Sequence, residues 1–423
     1  MLKKLRLTDF KSFVNEEVEL APLTLLVGAN ASGKSNFLDA IQFLRATHFD
    51  LSIADILNGE ERAYPYSEAW PGLRGRAAEA ARVGTSVFSI ESLWRTPDIE
   101  DVYGKRNVQG QQWGEVRHRI ACRTDPYPRL EAESLAKGDG ELLFSTGAVK
   151  DNRIEVPGWK LIPWPGNERK ESPALLDADR SLQWIILGSI NPGSPSVPPV
   201  VAQYSHALSE AVGRIGSLDI KPEQMRGYGR KGMFMDVAGK NISGLLAAMS
   251  EQLETKRALV DWLAEFCAPE ITDIDFIEVK ELGDIMAMFV EAGGKRISVR
   301  SLSEGTLRFL GILLSLRMAE PGSVMLIEDI EMGLHPTRIR LLSEYLENVV
   351  RERNIQVIAT THSPVVLQWV NEETLRSTVV FGRVSDYEGT LMRRLGDLPH
   401  FDQVARHKGI EELFTTGWLE MAL

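Results

Sequence analysis

The chain has 423 residues, 43% apolar and 25% charged, with a formal charge of −11. This is the balance of a folded globular protein longer than one average domain; it excludes a disordered chain and gives no global signal for nucleic acid binding. The two cysteines, Cys122 and Cys267, have no metal or redox spacing, and no apolar run approaches bilayer length, so a reducing, cytoplasmic setting without a membrane segment is expected.

Taken in chain order, Leu2, Leu5 and Leu7, then Val18 and Leu20, alternate around a polar turn with Lys11, Ser12 and Asn15, which predicts a β-hairpin. The apolar run Leu23-Thr24-Leu25-Leu26-Val27 follows. It ends in Gly28-Ala29-Asn30-Ala31-Ser32-Gly33-Lys34-Ser35, which fits G-x-x-x-x-G-K-[ST] at every fixed position. A helix is predicted from Asn36 to Ala46, with Phe37, Ala40, Ile41 and Leu44 on one face. A strand, a Gly-rich turn and a helix in that order aim several backbone N–H groups and a helix dipole at one point, where a di- or triphosphate fits. Lys34 adds a mobile charge for the β- and γ-phosphates, and the Ser35 hydroxyl can ligate Mg²⁺. These residues imply nucleoside triphosphate binding.

From about Pro65 to Leu143 short apolar stretches such as Val87 to Ile90 and Val116 to Ile120 predict a small antiparallel sheet. Residues 157 to 199 hold eight of the 20 prolines and predict mostly loop, broken by an apolar piece near Trp184 to Leu187. Helical spacing returns between Gln203 and Phe266, without the sustained heptads of a coiled-coil arm.

Ser301-Leu302-Ser303-Glu304-Gly305-Thr306 precedes an apolar helix, Leu307 to Met318. Such a turn is either an anion-binding device or a plain cap with Ser303 at the N-cap. The strand pattern Ser323 to Ile327 then ends in Glu328 and Asp329, adjacent carboxylates of the kind that hold Mg²⁺ and polarise a water. Gly333-Leu334-His335-Pro336 opens another helix, Thr337 to Arg353, and the strand pattern Gln356 to Thr361 ends in His362-Ser363-Pro364. His362 is a structural residue or a hydrogen-bond donor to a γ-phosphate. A ligand would sit where these strands end.

Together the phosphate loop, the L-S-x-G-T turn, the acidic strand end with G-L-H-P, and T-T-H-S-P resemble the ABC-type ATPases of the SMC/RecF/OLD group, in the compact form without long coiled coils. The resemblance spans about residues 1 to 50 and 295 to 370 and implies an α/β fold. It implies an ABC-type P-loop ATPase head with a mixed central sheet, an N-terminal antiparallel β lobe and a helical insertion. The expected division is an N-terminal ATPase lobe at 1–150, a loop-rich and helical insertion at 151–270, and a C-terminal ATPase lobe at 271–423.

Carried over by position, Gly28, Asn30, Gly33, Lys34 and Ser35 bind ATP, and Ser35 and Glu328 hold Mg²⁺. Asp329 stands at the general base and His362 at the switch histidine. Ser303 and Gly305 stand at the signature motif, which contacts the ATP of a second subunit, so a homodimer or higher oligomer is implied. Phe10 to Phe13 are expected near the adenine. The group usually has Asp-Glu-Pro or Glu-Glu-Pro where this chain has Glu328-Asp329-Ile330; the shorter Asp329 implies slower hydrolysis, and Glu331 is an alternative carboxylate. The interlobe glutamine has only Gln109, Gln111 and Gln112 as candidates.

The resemblance implies an ATPase that senses or regulates with a separate nuclease or toxin in anti-phage defence, because no cluster of metal-binding acids follows Thr360. The alternatives are a DNA repair or chromosome-maintenance clamp, with DNA as its ligand, a nucleotide-gated scaffold with little hydrolysis, and a transporter's nucleotide subunit, which the G-L-H-P turn and the unmatched middle fit poorly.

Overall fold

In the computed structural model the described residues are 1–60, 70–96, 114–161, 173–187, 195–232, 235–236, 238–267, 270–384 and 387–423. The candidate glutamines lie outside them.

The central sheet has six strands in the order Ile215–Leu218, Val324–Ile327, Gln356–Thr360, Leu23–Val27, Val379–Gly382 and Leu391–Arg394. The first five run parallel and the last is antiparallel, which makes the sheet mixed. Strands buried on both faces read as continuous apolar runs, which is why Leu23–Val27 and Val324–Ile327 show no polar alternation. Their side chains still point to opposite faces in turn. Leu26, Val324, Leu326 and Ile358 enter one core, while Leu25, Val27, Met325, Ile327 and Val357 enter the other. Each fully buried leucine contributes about 1.5–3 kcal/mol of transfer free energy.

The predicted hairpin is present, Leu2–Thr8 against Asn15–Glu19, and it continues into a six-stranded antiparallel sheet with Val87–Arg95, Glu115–Arg123, Arg129–Lys137 and Leu142–Ser145. Gln356 is one of the side chains that tie this lobe to the central sheet. Gln356 accepts from Leu2 N–H at 2.8 Å and donates to the carbonyls of Leu2 and Ala21 at 2.8 and 3.0 Å.

The proline-rich stretch is more ordered than its composition suggests. Arg153–Leu161 pairs with Pro173–Asp177 and Pro195–Ser196, and Leu182–Leu187 is a helix. Ile154, Val156 and Trp159 bury their side chains, and that burial outweighs the turn chemistry of the flanking prolines. Helices Pro199–Gly213, Ile242–Met249 and Leu253–Phe266 follow the helical spacing. Between them, Ile215–Leu218 is an edge strand of the central sheet, so the expected insertion at 151–270 also builds part of the ATPase core.

Candidate functional site

Parallel register brings three strand ends together: Ile327 pairs with Ala359, and Thr360 pairs with Leu26. Glu328, Thr361 and Gly28 therefore leave the sheet side by side. In the loop after Leu23–Val27, Gly28 has φ 147° and Gly33 φ 112°, both in the region that favours glycine. A Cβ on Gly28 would lie 2.3 Å from the Phe381 carbonyl, and one on Gly33 would lie 2.7 Å from Thr390 Oγ1. The loop is packed from behind and can take no side chain at either point. Asn30 is exposed at its tip.

The helix Lys34–Ala46 starts directly from this loop, and no side chain caps its N-terminus. Its first N–H groups are thus left for an anion. Lys34 is 5% exposed and folds back to donate to the carbonyls of Gly28 at 2.7 Å and Ala29 at 2.9 Å. Burial lowers its pKa, opposed by the charges of Asp329, Glu420 and Glu331.

Ser35 Oγ lies 3.4 Å from Glu328 Oε2. Two hard oxygens facing each other beside an anion cradle fit a Mg²⁺ ion that keeps its remaining ligands from water and phosphate. Asp329 follows in the left-handed region, φ 48°, which aspartate tolerates better than most residues. Its backbone N–H donates to Thr360 Oγ1 at 2.8 Å, and its Oδ1 lies 3.6 Å from His362 Nε2. Ile330 is fully buried, and its N–H donates to the Thr360 carbonyl at 3.1 Å, a bond that the group's usual proline lacks. The turn is therefore tied to the next strand by hydrogen bonding instead of by ring rigidity.

Ser303 caps the helix Glu304–Met318, accepting from Thr306 N–H at 3.1 Å. Gly305 packs against the Gly333 turn, where a Cβ would lie 2.4 Å from the Gly333 carbonyl. Within one chain Gly305 packs against the turn that follows the acidic residues, whereas the Ser303 hydroxyl is engaged by Thr306 of its own helix.

Two residues were not legible as parts of this site. Arg74, which reads as an ordinary surface charge, donates to Glu328 Oε2 at 3.2 Å and to the Ser35 carbonyl at 2.8 Å. Its guanidinium also binds Asp39 at 2.8 Å, and Asp39 is paired with Lys11 at 2.5 Å. Burial works against the Arg74 charge, yet Asp39 and Glu328 raise its pKa overall. Arg308, on the helix after Ser303, donates to the carbonyls of Glu328 at 2.7 Å and Asp329 at 3.0 Å. No local pattern ties either arginine to position 328.

Phe10 and Phe13 are core residues. Both rings are fully buried, Phe10 against Phe88 and Phe13 against Phe381, so neither can stack on an adenine. Ser12 between them does reach the phosphate-loop region, joining Asn36 at 3.0 Å and Thr390 at 2.9 Å.

A mixed sheet with its phosphate loop, acidic turn and histidine on neighbouring strand ends, flanked by an antiparallel lobe, is an ABC-type P-loop ATPase head. Residues 1–83 match the family described as "AAA ATPase domain", and residues 210–368 match the one described as "AAA domain, putative AbiEii toxin, Type IV TA system". Both matched models are of AAA ATPase domains, and together with the RecF and retron relatives they support an SMC/RecF/OLD-like ABC-type ATPase. It is 39% identical over 66 residues to the DNA replication and repair protein RecF of Gloeobacter violaceus, covering 15% of this chain and 18% of that protein. It is 29% identical over 118 residues to the "Retron Vc95 probable ATPase" of Vibrio cholerae serotype O1 biovar El Tor, covering 25% and 22%. The chain thus spans about a fifth of the length of these curated relatives. Among solved structures, an Smc head bound to the C-terminal winged-helix domain of ScpA is similar at 14% identity and a TM-score of 0.48, covering 93% of this chain and 98% of that one. No helix among the described residues is long and apolar enough to cross a membrane.

Proposed function

We propose that the chain binds ATP with Mg²⁺ and hydrolyses it slowly in a head-to-tail homodimer that sandwiches two nucleotides. The supporting observation is the convergence of Ser35 and Glu328 Oε2, 3.4 Å apart, with Asp329 next in the chain and His362 facing it from the end of the neighbouring strand. When bound between these oxygens, Mg²⁺ neutralises charge that develops on the phosphates. Lys34 exchanges its loop carbonyls for phosphate oxygens, and Asp329 orients the attacking water at a distance lengthened by its missing methylene. His362 donates to the γ-phosphate, while Ser303 and Gly305 meet the nucleotide of the second subunit.

In this reading the dimer senses or regulates for a separate nuclease or toxin in prokaryotic anti-phage defence. The family description naming a toxin–antitoxin system and the retron relative support it. The RecF relatives favour a second reading, a DNA repair or chromosome-maintenance clamp with DNA as ligand.

The deciding experiment is the mass in solution and the rate of phosphate release, with Mg²⁺-ATP, for wild type and Asp329→Ala. A doubled mass that the variant locks supports a hydrolysing clamp. ATP bound by both proteins without hydrolysis or change of mass leaves only a nucleotide-gated scaffold. Salt-sensitive, ATP-dependent DNA binding would favour the repair reading over the defence one.

A further inference from the structure

We propose that Glu331 is a positioning residue for the hydrolytic step, a latch that holds the backbone of His362 against the acidic turn, and that it is not the base. The proposal rests on the ATPase reading of the site. By sequence alone Glu331, two residues beyond Asp329, is an alternative carboxylate. Geometry separates the two. The Asp329 side chain is 47% exposed, with Oδ1 facing His362 Nε2 at 3.6 Å and Thr360 Oγ1 at 3.3 Å, so water can reach it. Glu331 is half-buried and its two oxygens are less available than those of Asp329. Its Oε1 accepts from His362 N–H at 2.7 Å, and its Oε2 is buried without a hydrogen-bond partner among the described residues.

A base must touch its water or reach it through another, and a carboxylate with one oxygen committed to a backbone N–H and the other buried is poorly placed for either. A short bond from a backbone N–H to a carboxylate is instead charge-assisted and directional, suited to fixing a loop. The latch has a firm footing. Arg308 grips the Glu328 and Asp329 carbonyls from one side, and Ile330 N–H bonds the Thr360 carbonyl from the other. With the turn held at these points, the Glu331 bond sets where the His362 ring stands relative to Asp329. His362 cannot then move toward a phosphate without either stretching this bond or carrying the turn with it.

Glu331→Gln retains a carbonyl oxygen able to accept the His362 N–H, whereas Glu331→Asp withdraws the acceptor by one methylene. Hydrogen–deuterium exchange of the full chain, read over residues 360–364, is expected to be about tenfold faster in Glu331→Asp and close to wild type in Glu331→Gln, the size of one lost hydrogen bond. Turnover is expected to follow: kcat falls about tenfold in Glu331→Asp with KM for ATP little changed, and Glu331→Gln restores it. If Glu331→Gln is as inactive as Glu331→Asp, the carboxylate itself is needed and the latch is wrong. Unchanged exchange in Glu331→Asp also overturns it. Glu331→Ala carries the same exchange expectation should the aspartate variant fail to fold. A wild-type chain that releases no phosphate counts against the ATPase reading, and the exchange comparison, which needs no turnover, still decides the latch.

Discussion

Arg74 donates through Nη1 to Glu328 Oε2, the same oxygen that faces Ser35 Oγ. A guanidinium therefore stands against the oxygen pair suited to a divalent cation and competes with it for Glu328. Both side chains are nearly half exposed, so their pairing is worth only about 0–1 kcal/mol. Arg74→Ala is expected to tighten Mn²⁺ binding, read by electron paramagnetic resonance at fixed ATP analogue, by up to about fivefold. Unchanged or weakened Mn²⁺ affinity would show that the arginine does not compete.

Lys34 is a second, more severe test. Its ammonium satisfies two loop carbonyls now and would satisfy phosphate oxygens with nucleotide bound. Lys34→Ala is expected to weaken binding of a fluorescent ATP analogue about 10- to 100-fold, as loss of a hydrogen bond to a charged group does. Retained tight binding would remove the phosphate-loop assignment.

Ser303 lies exposed at the helix N-terminus, away from its own phosphate loop by contact. Ser303→Arg should leave ATP binding by the monomer within about twofold and prevent the ATP-driven doubling of mass in light scattering, because the bulk enters the shared interface and a lost cap costs only about 1 kcal/mol. A dimer that still forms with ATP argues against a role in trans.

His48 makes stability depend on pH. Its ring is buried against His118, its Nδ1 lies 3.1 Å from the Leu44 carbonyl, and burial, with help from His118, pushes its pKa down to about 3 from 6.5. The unfolded chain therefore binds the extra proton first. Stability is complete above about pH 6.5 and is lost as pH falls toward 3, by at most about 1.4 kcal/mol per pH unit from this group. Urea unfolding at pH 7.5 and 5 should show the loss in wild type and a smaller one in His48→Gln; equal losses would assign it to other groups.

The strands and helices that carry the site were legible because each has a strong local signature. Leu23–Val27 and Val324–Ile327 are uninterrupted apolar runs, and the glycines of the phosphate loop occur where φ is positive. What was not legible depends on contacts between distant positions. Arg74 and Glu328 are 254 residues apart, and Ile215–Leu218 becomes a core strand only by pairing with Val324–Ile327. The burial of Phe10 and Phe13 was not legible either, because an aromatic beside a ligand loop and an aromatic in the core look alike in sequence.

The parallel pairing of Leu26 with Thr360 has a consequence for synthesis. The strand that carries the phosphate loop leaves the ribosome early but takes its place between partners made more than three hundred residues later. Until those partners arrive, both its edges lack their hydrogen-bonding neighbours, and the loop has no acidic turn beside it. Closing so long an interval is slow. The nascent chain thus carries an unpaired apolar strand until residues 356–382 are made, and the intact cradle forms only when they join the sheet.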